Sequence, residues 1–248
     1  MVKEKNIRLT IEYDGTKYAG WQVQPRQKTI QGEIESALQK LTGQKPILYV
    51  AGRTDAGVHA LAQVANFRIA HRLPVKKYRD GLNFYLPDDI LICEAGEVAP
   101  EFHSRYDAAF RSYRYQIARR RSALYRLRRW ECSYDLNRIE LDRAAEYVRG
   151  EHDFSAFCVI SSQKEDNRCL VYESRWREEN GLLIYDITAN RFLHSMIRSL
   201  VGLMVDLGRG AIDMKTFKQI FADGDHTALK HVAPARGLYL AAIGYEEE

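Results

Sequence analysis

From Ile7 to Tyr13 the chain runs Ile-Arg-Leu-Thr-Ile-Glu-Tyr, a strict apolar–polar alternation with the period of a half-buried strand. Asp14-Gly15 then signals a turn. From Ile30, apolar residues recur at Ile34, Ala37, Leu38 and Leu41, one face of a helix. Thr29 is placed to cap its start and Gly43 its end. Ile47–Ala51 reads as a buried strand, and Ala65, Phe67 and Ile69 alternate with Asn66 and Arg68 in another. A helix over Val75–Tyr85 and a strand at Ile90–Cys93 follow.

The mixture then partly repeats. Tyr113, Tyr115 and Ile117 alternate with Ser112, Arg114 and Gln116, which predicts a strand. Leu141, Ala144, Ala145 and Val148 stripe a helix ended by Gly150, and Leu182–Thr188 reads as a strand. A long helix is predicted from Phe192 to Leu207, striped by Leu193, Met196, Ile197, Leu200, Met204 and Leu207; Leu238–Tyr245 is a final strand. Two mixed halves with antiparallel-type connections, 1–104 and 105–248, point to an α+β fold. No low-complexity linker separates them, so a shared interface is expected, with a cleft suited to a ligand.

Composition narrows the function classes. The chain has 248 residues, 46% of them apolar and 28% charged, which disfavours disorder, collagen-like sequence and membrane residence. The opening Met-Val-Lys-Glu-Lys-Asn is charged and lacks the apolar region of a signal peptide. No stretch reaches the ~18 uninterrupted apolar residues of a membrane span. A cytoplasmic location is therefore expected. Cys93, Cys132, Cys158 and Cys169 form no C-x-x-C pair, and the histidines show no ligand spacing. Neither a phosphate loop nor a dinucleotide fingerprint is present; Gly208-Arg209-Gly210 lacks the third glycine. These absences lead to an expectation of side-chain chemistry with no cofactor and no metal. His59 and the cysteines read as structural.

The net charge of +4 hides an asymmetry. Arg105 to Arg129 holds nine arginines, no lysine and one acid, Asp107, a balance of 9 − 1 = +8. Tyr106, Phe110, Tyr113, Tyr115 and Tyr125 are interleaved. Arginine forks grip phosphates and stack on bases, so the segment suits RNA. A solvated basic face without a ligand is the alternative.

Candidate chemistry centres on Ala51-Gly52-Arg53-Thr54-Asp55-Ala56-Gly57-Val58-His59. Small residues let backbone approach a large substrate, and Arg53 can keep the Asp55 carboxylate ionised, as a nucleophile requires. The same pattern fits a tight turn whose aspartate merely bonds backbone N–H groups. The residues leave both readings open.

AGRTDAGVH resembles the signature of the TruA family of tRNA pseudouridine synthases. Four further stretches resemble its motifs in the same order: YDGTKYAGWQ (Tyr13–Gln22), RSYRY (Arg111–Tyr115), FLHSMIRSLVGLM (Phe192–Met204) and APARGLYL (Ala233–Leu240). The resemblance implies two similar α+β halves, each an antiparallel sheet with helices on one face in an RRM-like arrangement, and an active-site cleft between them. It implies Asp55 as nucleophile and Tyr113 stacked on the target base. Arg53 would help flip the nucleotide or fill its space, Arg198 would pair with the carboxylate, and Leu238 would form an apolar wall. Tyr113 and Leu238 also fit a core role, and Arg198 an exposed helix face. His194 and Arg198 are four apart, on one polar face opposite the Leu193–Leu200 stripe, which supports Arg198 as the partner of Asp55. Ser195 departs from the family pattern, where many members carry a histidine. The implied reaction is uridine isomerisation in the anticodon stem–loop of tRNA by a homodimer, with no small-molecule cofactor. Arg111, Arg114, Arg119, Arg120 and Arg121 form the expected RNA-binding patch. Two competing readings are a non-catalytic RNA-binding protein and a synthase acting on another RNA.

Overall fold

A computed structural model of the chain describes residues 2–159, 162–163, 165–225, 227, 229 and 231–246. These fold into ten strands and five α-helices among the described residues, an α+β architecture. By contacts the chain divides into two units, residues 1–109 with 239–248, and residues 110–238. The division thus falls inside a strand rather than at 104/105, and the residues from Tyr239 onward belong with the first unit.

Unit 1 holds β1 (Lys5–Tyr13), α1 (Ile30–Thr42), β2 (Tyr49–Val50), β3 (His59–Ile69), α2 (Lys76–Tyr85) and β4 (Ile90–Val98). Its sheet runs β4-β1-β3, antiparallel, with β2 also on β3. β10 (Leu238–Tyr245), most of which belongs to this unit, pairs parallel with β3 at two positions, Tyr239 opposite His59 and Leu240 opposite Ala60. The period-2 pattern explains the core: Ile7, Leu9 and Ile11 are fully buried across from Phe67, Ala65 and Gln63. Tyr78 of α2 lies edge-on to Phe67, 5.7 Å between ring centres, so the helices cover this face. Helix α1 begins where Thr29 Oγ1 accepts the Gly32 N–H and ends at Gly43, φ 72°. On the other face Asn66 donates to Asn6 at 2.9 Å and accepts from Ser104 N–H, tying the 99–104 segment to the sheet.

Unit 2 holds nearly all of β5 (Ala108–Ala118), then β6 (Trp130–Glu131), α3 (Arg138–Val148), β7 (Gly150–Asp153), β8 (Arg168–Glu179), β9 (Leu182–Ala189), α4 (Met196–Gly208) and α5 (Met214–Asp223). The order β5-β9-β8-β7 is antiparallel throughout, with β6 parallel on β5. The predicted stripe of α3 is buried, and α4 is buried almost all round. Phe217 and Phe221 of α5 join Tyr147, Phe154 and Phe157 in an aromatic cluster.

Two predicted elements differ. The Ile47–Ala51 strand shrinks to Tyr49–Val50, because Ile47 points to solvent at 69% exposure. The long helix starts at Met196, not Phe192, because Ser195 takes a left-handed φ of 62° that no α-helix continues through. His194 therefore precedes the helix. The shared polar face expected for His194 and Arg198 does not exist; His194 Nδ1 instead lies 3.0 Å from Ser162 Oγ. No helix among the described residues is long and apolar enough to cross a membrane.

Candidate active site

The Asp55 stretch is a loop between β2 and β3, held by backbone contacts and by side chains beneath it. Val58 N–H donates to the Asp55 carbonyl at 3.2 Å and closes a turn over Ala56 and Gly57. Gly57, at φ 76°, supplies the positive φ that the third position of a type II turn demands. The first motif folds onto this turn. Trp21 N–H donates to the Thr54 carbonyl at 3.1 Å, and Gly57 N–H to the Tyr18 carbonyl at 3.3 Å. A Cβ on Gly15 would stand 1.9 Å from the Val58 carbonyl oxygen, and one on Gly20 2.7 Å from that of Thr54. Two sequence motifs, 13–22 and 51–59, are thus one structural piece, and glycine is what lets their backbones touch.

Beneath the loop, the Tyr13 hydroxyl and Thr54 Oγ1 are 2.7 Å apart, and Gln63 Nε2 donates to the Gly52 carbonyl at 2.7 Å. Burial pushes the Tyr13 phenol up to about 12 against the opposing bonds to Thr54 and Gln63, so it keeps its proton at neutral pH. Arg53 is exposed and Asp55 half-buried. His59 is buried; its ring stacks on Tyr239 at 4.7 Å and Nδ1 accepts the Gly15 N–H at 3.2 Å.

The other three motifs meet in unit 2, apart from Tyr239 and Leu240 at the end of the last. Tyr113 on β5 is 7% exposed and lies edge-on to Phe192, 5.0 Å between centres. Tyr115 donates to the Pro234 carbonyl at 2.7 Å, and a Cβ on Gly237 would stand 2.6 Å from its Cζ. Burial raises the Tyr115 phenol, opposed by Arg198 and Arg236. Arg198 Nε donates to the Ala233 carbonyl at 2.9 Å, and Ala233 N–H returns to the Arg198 carbonyl at 3.0 Å. A Cβ on Gly202 would stand 2.3 Å from the His231 carbonyl oxygen. Leu238, buried, follows a 3-10 turn at Ala235–Gly237. Arg53 and Asp55 thus share one loop of unit 1, while Tyr113, Arg198 and Leu238 belong to unit 2.

Sequence reasoning missed Phe192 as the ring partner of Tyr113, and Gln63 as support for the loop. Gln63 was legible: it is a polar residue at the core phase of β3, in line with Ala65, Phe67 and Ile69.

The expected RNA patch divides in two. Arg111 donates to the Asn190 carbonyl at 2.9 Å. Arg114 Nε bonds Asp186 at 2.9 Å, and Arg177 Nε bonds the other oxygen at 2.6 Å. Burial pushes the Asp186 carboxyl up, but these two guanidiniums outweigh it and hold it below the usual range. Arg119, Arg120 and Arg121 follow the end of β5 and are exposed; Arg119 approaches an exposed Glu178 at 3.6 Å, and the solvated Arg121 approaches the largely covered Glu131 at 3.8 Å. The four cysteines are free, and burial raises each thiol, Cys169 to about 11, so they are protonated at neutral pH. No group of three or more His, Cys, Asp or Glu among the described residues could hold a metal ion.

Residues 9–107 and 144–246 match the family profile described as tRNA pseudouridine synthase. The chain is 42% identical over 243 residues to tRNA pseudouridine synthase A of Caldicellulosiruptor bescii, covering 97% of this chain and 100% of that protein. The proteins of the same name from Chlorobium luteolum and Acetivibrio thermocellus are each 41% identical. Their alignments cover 98% and 97% of this chain, and 97% and 100% of those proteins. A chain of the solved Cbf5-Nop10-Gar1 complex aligns with 96% of this chain and 59% of its own length, at 12% identity and a TM-score of 0.40. With a profile match across most of its length and relatives above 40% identity end to end, the chain belongs to the tRNA pseudouridine synthase family.

Proposed function

We propose that the protein isomerises uridine to pseudouridine in the anticodon stem–loop of tRNA, with Asp55 as nucleophile and no cofactor. The observation that carries this reading is the family match over the motif that forms the Asp55 turn. In the reaction the N1–C1′ bond breaks, the uracil turns and a C5–C1′ bond forms. C5 loses a proton and N1 gains one, so nothing is consumed. The target nucleotide first leaves its stack, at a cost of a few kcal/mol. Tyr113 offsets that by stacking on the base, worth about 1–3 kcal/mol. Arg53, exposed beside Asp55, fills the vacated space. Arg198, steered by its bond to Ala233, pairs with the Asp55 carboxylate, and Leu238 provides an apolar wall for the uracil. Pseudouridine mapping on unmodified tRNA incubated with the protein tests the reading; absence of product contradicts it.

Arg105–Arg129 is the proposed RNA footprint, recognising shape and phosphates rather than base edges. Reversing charge at Arg119, Arg120 and Arg121 together should weaken tRNA binding at least about tenfold and flatten the log–log salt slope by about 0.7–0.9 per lost phosphate contact. Arg114→Glu should behave differently, lowering the melting temperature because it sets a second carboxylate against Asp186. Unchanged tRNA affinity in the triple variant would refute the footprint.

The family reading also assigns a homodimer that contacts one tRNA with both subunits, in the cytoplasm. Light scattering should give twice the chain mass of 28.7 kDa. A monomer mass at assay concentration, or fractionation with membranes, would contradict these assignments.

A further inference from the structure

We propose that Gln63 and the Tyr13–Thr54 hydroxyl pair are positioning residues that fix the backbone on either side of Arg53 and thereby aim Asp55. The inference rests on the functional reading above and extends it to residues beneath the loop.

Gly52 and Thr54 flank Arg53, and each is held from below. The Gly52 carbonyl takes the Gln63 Nε2 proton at 2.7 Å, and the Thr54 hydroxyl meets that of Tyr13 at 2.7 Å. The Thr54 carbonyl takes the Trp21 N–H, and the Asp55 carbonyl that of Val58. The loop is therefore pinned from Gly52 to Val58, while the Arg53 side chain stays in solvent.

These polar groups stand where the pattern asks for apolar ones. Gln63 is fully buried, opposite Ile11 and in phase with Ala65 and Phe67. Both ends of its amide are used, since Oε1 accepts the Val64 N–H at 3.1 Å. Tyr13 is 3% exposed and in phase with Ile7, Leu9 and Ile11, where phenylalanine would bury as well. A core amide and a core phenol cost free energy unless bonded, and a satisfied network of this kind rigidifies what it touches. What this network touches is the pair of residues beside Arg53. Catalysis is sensitive to such placement: a shift of about 1 Å can cost roughly 100-fold.

The test uses the full chain with Tyr13→Phe, Thr54→Val and Gln63→Met, in single-turnover and steady-state assays on unmodified tRNA. Binding of tRNA and melting temperature are measured beside them. Each variant should lower kcat by about 10- to 100-fold while tRNA affinity stays within about twofold. Thr54→Ser, which keeps the hydroxyl, should retain most of the rate. Tyr13→Phe combined with Thr54→Val should cost less than the two separate losses multiplied together, because the two share a bond. If Gln63→Met fails to fold, the Tyr13–Thr54 pair, altered by one oxygen at each site, carries the test. A lowered melting temperature with unchanged kcat overturns the inference, as does a raised KM with kcat intact. An inactive wild type overturns the functional reading and this inference together; an active wild type with unaffected variants overturns this inference alone.

Discussion

Replacing Asp55 with asparagine is expected to abolish pseudouridine formation, lowering kcat by about four orders of magnitude or more. Asparagine keeps the size and most of the hydrogen-bonding capacity of the side chain but removes its negative charge and its nucleophilicity. The turn should survive, because it is held by the Val58, Trp21 and Tyr18 backbone bonds and by Gly57 rather than by the carboxylate alone. The variant should therefore melt within a few degrees of wild type and still bind tRNA, since the proposed phosphate contacts lie between Arg105 and Arg129. Single-turnover assays with a thermal melt of each sample separate the effects. Undiminished product would make Asp55 the turn residue that its sequence context also allows.

Gly15→Ala is the second large effect, and it acts through the fold. The new Cβ would stand 1.9 Å from the Val58 carbonyl oxygen and 2.7 Å from its carbon, atoms of backbone that no rotamer change can move. Either the first motif or the Asp55 turn must shift. A cost of about 3 kcal/mol or more is expected, at the upper end of point-mutant effects, together with loss of activity. Gly96→Ala on the edge strand β4 is the matched control, because a Cβ there meets nothing within 4 Å. Urea unfolding should place the two variants far apart. Equal midpoints would mean that the close approach of the two motifs is not held in solution.

Much of the fold was legible because its signals are local. Thr29 and Gly43 bound α1 as its caps predict, and the alternation of Ile7–Tyr13 and of Tyr113–Ile117 falls within β1 and β5. What escaped has physical causes. Strand β8 carries a bulge between Val171 and Glu173 that flips its phase, and its next inward position is the polar Ser174, so no single alternation runs through it. The start of α4 depends on one backbone dihedral at Ser195, which composition does not reveal. Helix α5 carries a stripe as readable as that of α3, Phe217, Ile220 and Phe221, with Asp213 as its cap.

The site was legible as motifs but not as an assembly. Nothing in Gly15 or Gly20 alone says that it faces the Asp55 turn, and nothing in Gly202 or Gly237 says that it faces His231 or Tyr115. Those pairings are long-range, and only the folded chain reveals that the first two motifs form one piece of unit 1, that the next two lie in unit 2, and that the last is divided, its Tyr239 stacking on His59 in unit 1. The basic segment shows the same limit. Charge alone groups Arg114 with Arg119, Arg120 and Arg121, yet Arg114 shares the Asp186 carboxylate with Arg177 on the sheet surface while the other three are exposed.

The most direct measurement is pseudouridine mapping on unmodified tRNA incubated with wild type and, in parallel, with Asp55→Ala, without cofactor or added metal. The account predicts pseudouridine in the anticodon arm with wild type only. Equal product from both proteins, or none from wild type despite tight tRNA binding, would contradict it.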